Sequence, residues 1–334
     1  MRNCFVFIIA SLVLSTLLCK PVLAEDNASW LDGFQLGGYS SAGITLQRDQ
    51  EAEAAINEVS LLLTWANDSR FSFFGEFELE RPLAWNDDER FSRKEGHFDL
   101  ERFYFDYNLS EKLNFRAGRF LTPNSRWNLL HAPPLVWTTS RPLATTQLFP
   151  TATNGVMLHG AIPLEKGAFE YKLFGELLED SEQDDEELQF ENVRGLRLSL
   201  KNQSDIGISI LSFREQGLNA TSYRMLGLDI VTTIKNVEVS AEAFQRFKNN
   251  NRDGGSGAYL QTAVPLNSLG LADWYWISRL ETFQRPNDRS SERWLVGATW
   301  RVKPTQLLKL EFTGGSESLP ESPRGFSASF ALFF

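Results

Sequence analysis

Apolar and polar residues alternate one by one along much of this chain, which is the pattern of a β-strand whose two faces meet different surroundings. In residues 292–301, tryptophan, valine and alanine side chains share one face, while arginine and threonine side chains share the other. The same rule sorts residues 306–313 and 111–117. A soluble β-sandwich also alternates, so the number of such segments and their connections must decide the fold class.

The whole chain gives sixteen such segments, an even number, and most have about the 9–11 residues that a tilted strand needs to cross a bilayer. We therefore predict an all-β fold, a transmembrane antiparallel up-and-down β-barrel of about 16 strands. The predicted strands are 34–46, 56–66, 70–80, 98–108, 112–120, 154–162, 167–178, 189–201, 205–214, 223–234, 236–247, 256–266, 272–284, 292–302, 305–314 and 325–334.

The predicted connections alternate between short and long, apart from one longer exception at 267–271. The short ones include 66–69, 109–111, 202–204 and 303–304. A membrane barrel has tight turns on the periplasmic side and long loops outside, whereas a soluble sandwich has no reason to sort its loops by length. Aromatic side chains beside the short turns fit a girdle at the membrane interface; these are Trp65, Tyr107, Trp274 and Trp300.

The first 24 residues have the basic start, short apolar core and small-residue exit of a secretory signal peptide, which we expect to be cleaved after Ala24. Both cysteines, Cys4 and Cys19, lie in this segment, so the mature chain has no thiol for a disulfide or a metal. Losing Arg2 and Lys20 takes the formal charge from −10 to −12, which argues against a nucleic-acid partner. Residues 25–334 then form a single barrel domain.

The chain ends in an alternating apolar segment whose members Phe330, Leu332 and Phe334 resemble the terminal assembly signal of outer-membrane proteins. With the signal peptide and sixteen segments, this resembles the sixteen-stranded porins of Gram-negative bacteria over the whole mature chain. Residues 118–123, 141–143 and 155–160 look like the corresponding stretch of the phosphate-selective porin family. The arginine ladder and lysine cluster of that family have no residue-by-residue match, so its specificity is not carried over.

The longest connection, residues 121–153, has 33 residues and is rich in leucine and proline, with Trp137 among its apolar members. Its position resembles the third loop of sixteen-stranded porins, and the resemblance implies that it folds inward and narrows the barrel. An external plug or a contact between trimer subunits is the alternative.

Residues 112–153 carry basic side chains and no Asp or Glu, in an acidic chain. A ring of basic groups at a narrow passage favours anions. We therefore expect a constriction formed by Arg116, Arg119, Arg126, His131 and Arg141. The alternative is that these groups only neutralise acidic side chains of the lumen or lipid phosphates.

The strand parity predicts further lumen-facing basic residues, namely Arg102, Lys112, Lys172, Arg197 and Arg279. The three histidines have neither a nucleophile motif nor metal-ligand spacing around them, so we predict no enzyme, no cofactor and no metal site. The acidic run 180–187 lacks the glycine and spacing of a calcium loop.

The expected function is an outer-membrane porin, a water-filled diffusion channel for small hydrophilic solutes that leans toward anions. A substrate-specific channel or an adhesin is the alternative. The expected partners are outer-membrane lipid and lipopolysaccharide, the barrel assembly machinery, small solutes and ions, and, from the resemblance alone, a homotrimer.

Overall fold

A computed structural model of the chain describes residues 33–48, 52–67, 69–86, 90–93, 96–145, 148–179, 189–216, 221–249, 252–285, 290–316 and 324–334. The predicted signal peptide, residues 1–24, and the acidic run 180–187 lie outside the described residues.

The described residues are dominated by one antiparallel sheet, and the alternating segments of the sequence account for its strands. The strands are β1 (Phe34–Gln47), β2 (Glu53–Ala66), β3 (Phe71–Asn86), β4 (Arg90–Ser92), β5 (His97–Ser110), β6 (Leu113–Leu121), β7 (Ala152–Leu164), β8 (Gly167–Glu176), β9 (Phe190–Lys201), β10 (Ser204–Glu215), β11 (Thr221–Ile234), β12 (Val237–Lys248), β13 (Asp253–Pro265), β14 (Trp274–Gln284), β15 (Ser291–Lys303), β16 (Gln306–Gly315) and β17 (Gly325–Phe333).

Sixteen of these strands close into a barrel, because each pairs with its neighbours in sequence and β17 returns to β1. Closure leaves no open sheet edge among the barrel strands, which is the condition for a sheet to cross a membrane. The predicted all-β fold class and the sixteen-stranded barrel are confirmed.

The structure differs from the prediction in the connection after β3, residues 81–97. β3 continues past the predicted end at residue 80 to Asn86, because β2 begins at Glu53 and supplies a partner along the extra length. The short strand β4 then pairs with this extension through Ala84 and Ser92. The segment 81–97, predicted as a long loop, is therefore partly a strand hairpin.

The two faces of the barrel differ as the alternation predicts. Side chains on one parity are exposed and apolar, such as Leu36 at 75% and Leu280 at 64% exposure. Their strand neighbours on the other parity are buried and often charged, such as Arg279 at 1% and Glu281 at 5%. A barrel with an apolar outside and a polar inside is suited to lipid around it and water or polar groups within it.

The aromatic side chains beside the short turns pack in cross-strand pairs. Trp274 and Trp300 stack with ring centroids 5.5 Å apart, and Tyr107 lies 4.7 Å from Phe71. Trp65 packs on Phe34 at 6.2 Å. The pairs lie at the short-turn end of the strands, where a girdle of aromatic residues is expected.

The chain end completes the closure of the barrel. The backbone of Phe334 exchanges two hydrogen bonds with Gly38 of β1, at 3.0 and 2.9 Å. A Cβ on Gly38 would lie only 2.5 Å from the Phe334 ring, so the ring occupies space that only glycine leaves free. Phe330 and Leu332 lie on alternate positions of β17, and Phe334 follows directly after the last residue of that strand.

The remaining structure is short and helical. A one-turn helix α1 (Arg126–Leu129) and 3₁₀ turns at Pro133–Leu135 and Leu143–Thr145 lie between β6 and β7, and another turn follows β13 at Asn267–Leu269. Among the described residues, no helix has the length and apolar character needed to cross a membrane.

Candidate functional site

The inward face of the barrel is lined by charged side chains that neutralise one another. The Arg197 guanidinium makes a two-pronged ion pair with Asp229 across the sheet, at 2.6 and 2.8 Å. Glu281 accepts from Arg279 at 2.7 Å and from Arg293 at 2.9 Å. Buried charges persist only when they are paired and hydrogen-bonded, so these pairs fix the side chains of the wall.

A second polar cluster covers the inner wall of β1, β2 and β3. The Tyr39 hydroxyl donates to Glu76 at 2.7 Å, and Ser60 donates to Glu78 at 3.1 Å. Arg102 of β5 forms an ion pair with Glu76. Acidic side chains therefore outnumber basic ones on this part of the inner face.

The chain between β6 and β7, residues 122–151, is held together at its base by Asn128. Its side-chain amide donates to the carbonyl oxygens of Thr122 and Thr151, both at 2.8 Å. Ser125 caps the following turn of helix, where its hydroxyl accepts from the Asn128 N–H at 3.0 Å. The two ends of the segment are thereby joined.

Backbone donors of this loop bond to inward carboxylates on three strands of the opposite wall, β12, β14 and β16. The N–H of Trp127 donates to Glu242 at 2.7 Å, and that of Leu143 to Glu281 at 2.7 Å. Glu311 accepts from the N–H groups of Thr139 and Ser140, both at 2.9 Å. Irregular backbone does not pair its own N–H groups as a helix or strand does, and the carboxylates of the barrel wall supply the missing hydrogen-bond acceptors.

Backbone acceptors of the loop are satisfied in the same way by basic side chains. Lys309 donates to the carbonyl oxygens of Pro133 at 2.7 Å and Thr138 at 3.1 Å. Arg279 donates to Ser140 through both its carbonyl and its hydroxyl oxygen, at 3.0 and 2.8 Å. The loop is therefore anchored to β12, β14 and β16 by charge-assisted hydrogen bonds, which are the stronger kind.

The last part of the loop is apolar and packs against an apolar patch of the wall. Leu143, Ala144, Leu148 and Phe149 are buried in one cluster with inward side chains of β7 to β12 and β14. Phe149 lies 5.0 Å from Phe244, ring to ring. One side of the barrel, near the long connections, is filled by this cluster.

The five residues predicted as a constriction are spread out, and three of them face an acid. Arg116 pairs with Asp106 at 2.7 Å, Arg126 with Asp205 at 3.4 Å and His131 with Glu101 at 3.2 Å. Arg141 also contacts Thr145 at 3.2 Å and Asn128 at 3.4 Å, and Arg119 contacts Asn154 at 3.5 Å.

Of the residues predicted to face the lumen, four lie on strands on the parity opposite the exposed apolar side chains; these are Arg102, Lys172, Arg197 and Arg279. Lys112 differs, because it lies exposed in the turn between β5 and β6 rather than on the strand predicted from residue 112. β6 begins one residue later, at Leu113.

A basic pocket of about 180 Å³ lies between the start of the loop and the wall. Its wall side chains are Arg102, Arg116, His159 and Lys172, and its loop side is Leu121, Pro123 and Leu129. In the described part of the chain, Lys172 has no ion pair or hydrogen bond of its side chain. The sequence predicts that Lys172 faces the lumen, but it does not predict that Lys172 lies beside Arg116 and His159. Only the register of the neighbouring strands brings these three side chains together.

The described residues contain no group of three or more His, Cys, Asp or Glu side chains that could hold a metal ion. The arrangement offers charged walls, a basic pocket and an anchored loop.

Comparisons with solved structures agree with this architecture. The trimer form of OmpT, an outer-membrane protein of Vibrio cholerae, has a TM-score of 0.62 at 10% identity and covers 90% of this chain and 99% of its own. Salmonella typhi OmpF in complex with daunomycin gives 0.63 at 9% identity, over 92% of this chain and 99% of that one. An anion-selective porin from Comamonas acidovorans gives 0.59 at 13% identity, over 90% and 98%.

No family model matches the sequence, and no curated protein matches it. The similarity is therefore one of fold. The chain has the closed sixteen-stranded barrel of the Gram-negative outer-membrane porins, and the predicted resemblance to that group is confirmed at the level of architecture. Its class is the closed, multi-strand antiparallel β-barrel.

Proposed function

We propose that this protein is an outer-membrane porin that lets small hydrophilic solutes diffuse through a water-filled channel. The observation that carries the proposal is the contrast between a polar, charged inner face and an apolar outer face on a closed sixteen-stranded barrel. A polar, charged inner face is what a water-filled channel for hydrophilic solutes requires.

The loop 121–153 is proposed to fold inward and to narrow this channel. The support is its bonding to inward carboxylates, Glu242, Glu281 and Glu311, together with the apolar packing of Leu143 and Phe149. The carboxylates lie on β12, β14 and β16, and the apolar cluster covers inward side chains of β7 to β12 and β14. We propose that solutes pass between the loop and the part of the wall that these contacts leave uncovered, next to the basic pocket.

The proposed selectivity is a weak preference for anions. Arg126 and His131 face acids and contribute little net charge to a passage. The support comes instead from Lys172, whose charge has no acidic partner within ion-pair distance in the described structure, beside Arg102 and Arg116 in the basic pocket. The acidic wall of Glu76 and Glu78 opposes a strong preference.

The proposal includes the predicted processing and partners. The signal peptide would be removed after Ala24, the terminal Phe334 would be read by the barrel assembly machinery, and the mature barrel would lie among lipid and lipopolysaccharide. A homotrimer is proposed because one structure of similar fold is a trimer form. We propose no enzymatic activity, no cofactor and no nucleic-acid partner.

The deciding experiment is conductance of the purified mature protein in planar bilayers. A porin gives stable open steps that rise with salt concentration, whereas an adhesin or a closed barrel gives none. Replacing residues 126–141 with a short Gly-Ser linker is expected to raise the single-channel conductance, because the narrowing loop is gone. The control variant lacks Leu218 and Asn219 of the connection after β10 and is expected to conduct like the parent.

If the parent protein gives no conductance steps in the bilayer, the channel proposal is refuted. Equal conductance of the parent and the loop-replacement variant would refute the narrowing role of residues 121–153 while leaving the channel in place.

A further inference from the structure

Three neighbouring strands change from apolar to arginine on their outward faces at the same end. On β10 the exposed Ile206, Ile208 and Ile210 are followed by Ser212 and Arg214. On β11 the outward leucines and isoleucines end at Arg224, and on β9 the outward leucines end at Arg194. All three arginines are exposed.

Strand register brings these arginines around one shallow pocket. Arg194 pairs with Ser212, and Ser212 pairs with Arg224, so the two arginines lie two strands, or about 10 Å, apart. Arg214 is opposite Ser222, one pair further toward the strand ends. The small side chains between the arginines leave a pocket of about 530 Å³, also lined by Gly175 and Asn249, which we name the rim pocket.

The three arginines of the rim pocket outnumber its carboxylates. Glu176 also lines the pocket, where its side chain accepts from the Val193 N–H at 2.9 Å. Arg214 has Glu191 at 3.3 Å, but in the described part of the chain Arg194 and Arg224 have no ion pair. Arginine on the outer face of a membrane barrel is costly at the bilayer centre and tolerable near the headgroups. The three arginines on the outer face of this acidic chain therefore indicate an anionic partner at the membrane border.

The height of the apolar band agrees with a border at this level. From Ile234 to Arg224 the outward face of β11 covers ten residue steps along the strand. At about 3.3 Å per residue and a tilt of roughly 40°, this corresponds to about 25 Å, the height of the apolar band of a membrane barrel. The pocket lies beside the long connections after β8, β10 and β12, which face outward in the proposed orientation.

We propose that the rim pocket binds a phosphate group of the phosphorylated glycolipid of the outer leaflet, lipopolysaccharide. The proposal rests on the proposed outer-membrane function and its orientation. The planar guanidinium groups match the geometry of a phosphate and donate two hydrogen bonds each. The exposed isoleucines and leucines below the pocket give the acyl chains of the same molecule an apolar surface to lie against.

The test uses the mature full-length barrel in detergent and three probes: synthetic diphosphorylated lipid A, its dephosphorylated analogue and inorganic phosphate. The variant carries Arg194→Gln, Arg214→Gln and Arg224→Gln. The control carries Arg70→Gln, Lys235→Gln and Lys303→Gln, which remove three exposed charges at the opposite end of the barrel. Heat-modifiable mobility checks that each barrel has folded.

We expect the triple arginine variant to bind diphosphorylated lipid A about 100-fold more weakly than the parent, since one basic group near an anionic lipid surface contributes about fivefold. The control variant and the parent are expected to bind it alike. The parent should bind the dephosphorylated analogue as weakly as the arginine variant binds lipid A. Inorganic phosphate should not displace lipid A at millimolar concentration.

Equal affinity of the parent and the arginine variant for lipid A would overturn the proposal, as would an equal loss in the control. Displacement of lipid A by inorganic phosphate would also overturn it, because the site would then serve free anions. Conductance of the same proteins separates this result from the porin proposal: a variant that loses lipid A and still conducts leaves the channel intact, and a silent parent that binds lipid A refutes only the channel.

Discussion

A disulfide between the loop and the last strand offers the sharpest test of where residues 121–153 lie. The hydroxyl oxygens of Thr139 and Ser329 are 2.7 Å apart, although the two residues are 190 positions apart in sequence. Two cysteines at these positions hold their sulfur atoms close enough for the bond length of about 2.05 Å. Cys4 and Cys19 both lie in the proposed signal peptide, so after its removal Thr139→Cys with Ser329→Cys can form only this pair within the chain.

The expected result is a disulfide that forms during secretion into an oxidising compartment. In the chain-entropy model, closing a loop of 190 residues stabilises the folded state by about 5 kcal/mol. The oxidised barrel should therefore unfold at a higher denaturant concentration than the same protein after reduction. Thiol titration before and after reduction measures the bond, and single-channel recording checks that the open conductance persists.

The matched control is Thr139→Cys with Ser327→Cys, which moves the partner two residues along β17 on the same parity. The shift of about 6.6 Å along the strand takes the second cysteine out of bridging distance. Free thiols in the first pair under oxidising conditions, or equal bridging in both pairs, would refute the loop position derived from the structure.

Three further predictions follow from the barrel, its end and its charge. Cysteine at position 184 should react with an impermeant maleimide on intact cells and cysteine at 202 should not; labelling at 202 alone would invert the topology. Phe334→Ser and Gly38→Ala should each lower the heat-modifiable fraction. The first removes the Phe334 ring, and the second brings a Cβ within 2.5 Å of that ring. An unchanged folded fraction at both low and high expression would make the terminal ring incidental. Lys172→Glu should move the reversal potential in a salt gradient toward cations, and the shift should fade at about 1 M salt, where the Debye length is roughly 3 Å. The control is Lys166→Glu in the exposed turn before β8. Equal shifts in both variants would place the effect at the rim.

Most of the barrel could be predicted from the sequence because strand alternation is a local property. Trp294 and Leu295 are adjacent in sequence, and one is exposed while the other is buried, as the period of two requires. Strand number, the sorting of connections by length and the terminal phenylalanine likewise depend on neighbours along the chain. The exceptions occur where a partner strand decides the end, as when Glu53 of β2 extends β3 to Asn86.

The interior was decided by the tertiary structure, because its contacts join residues far apart in sequence. The sequence on either side of Glu311 does not predict that its carboxylate accepts hydrogen bonds from the N–H groups of Thr139 and Ser140. The acid-free composition of residues 112–153 favoured a basic constriction, yet Asp205 and Glu101 approach Arg126 and His131 from other strands. A sequence lists the charges of a lumen, but the net field at a given point depends on which strands the closed barrel places opposite one another.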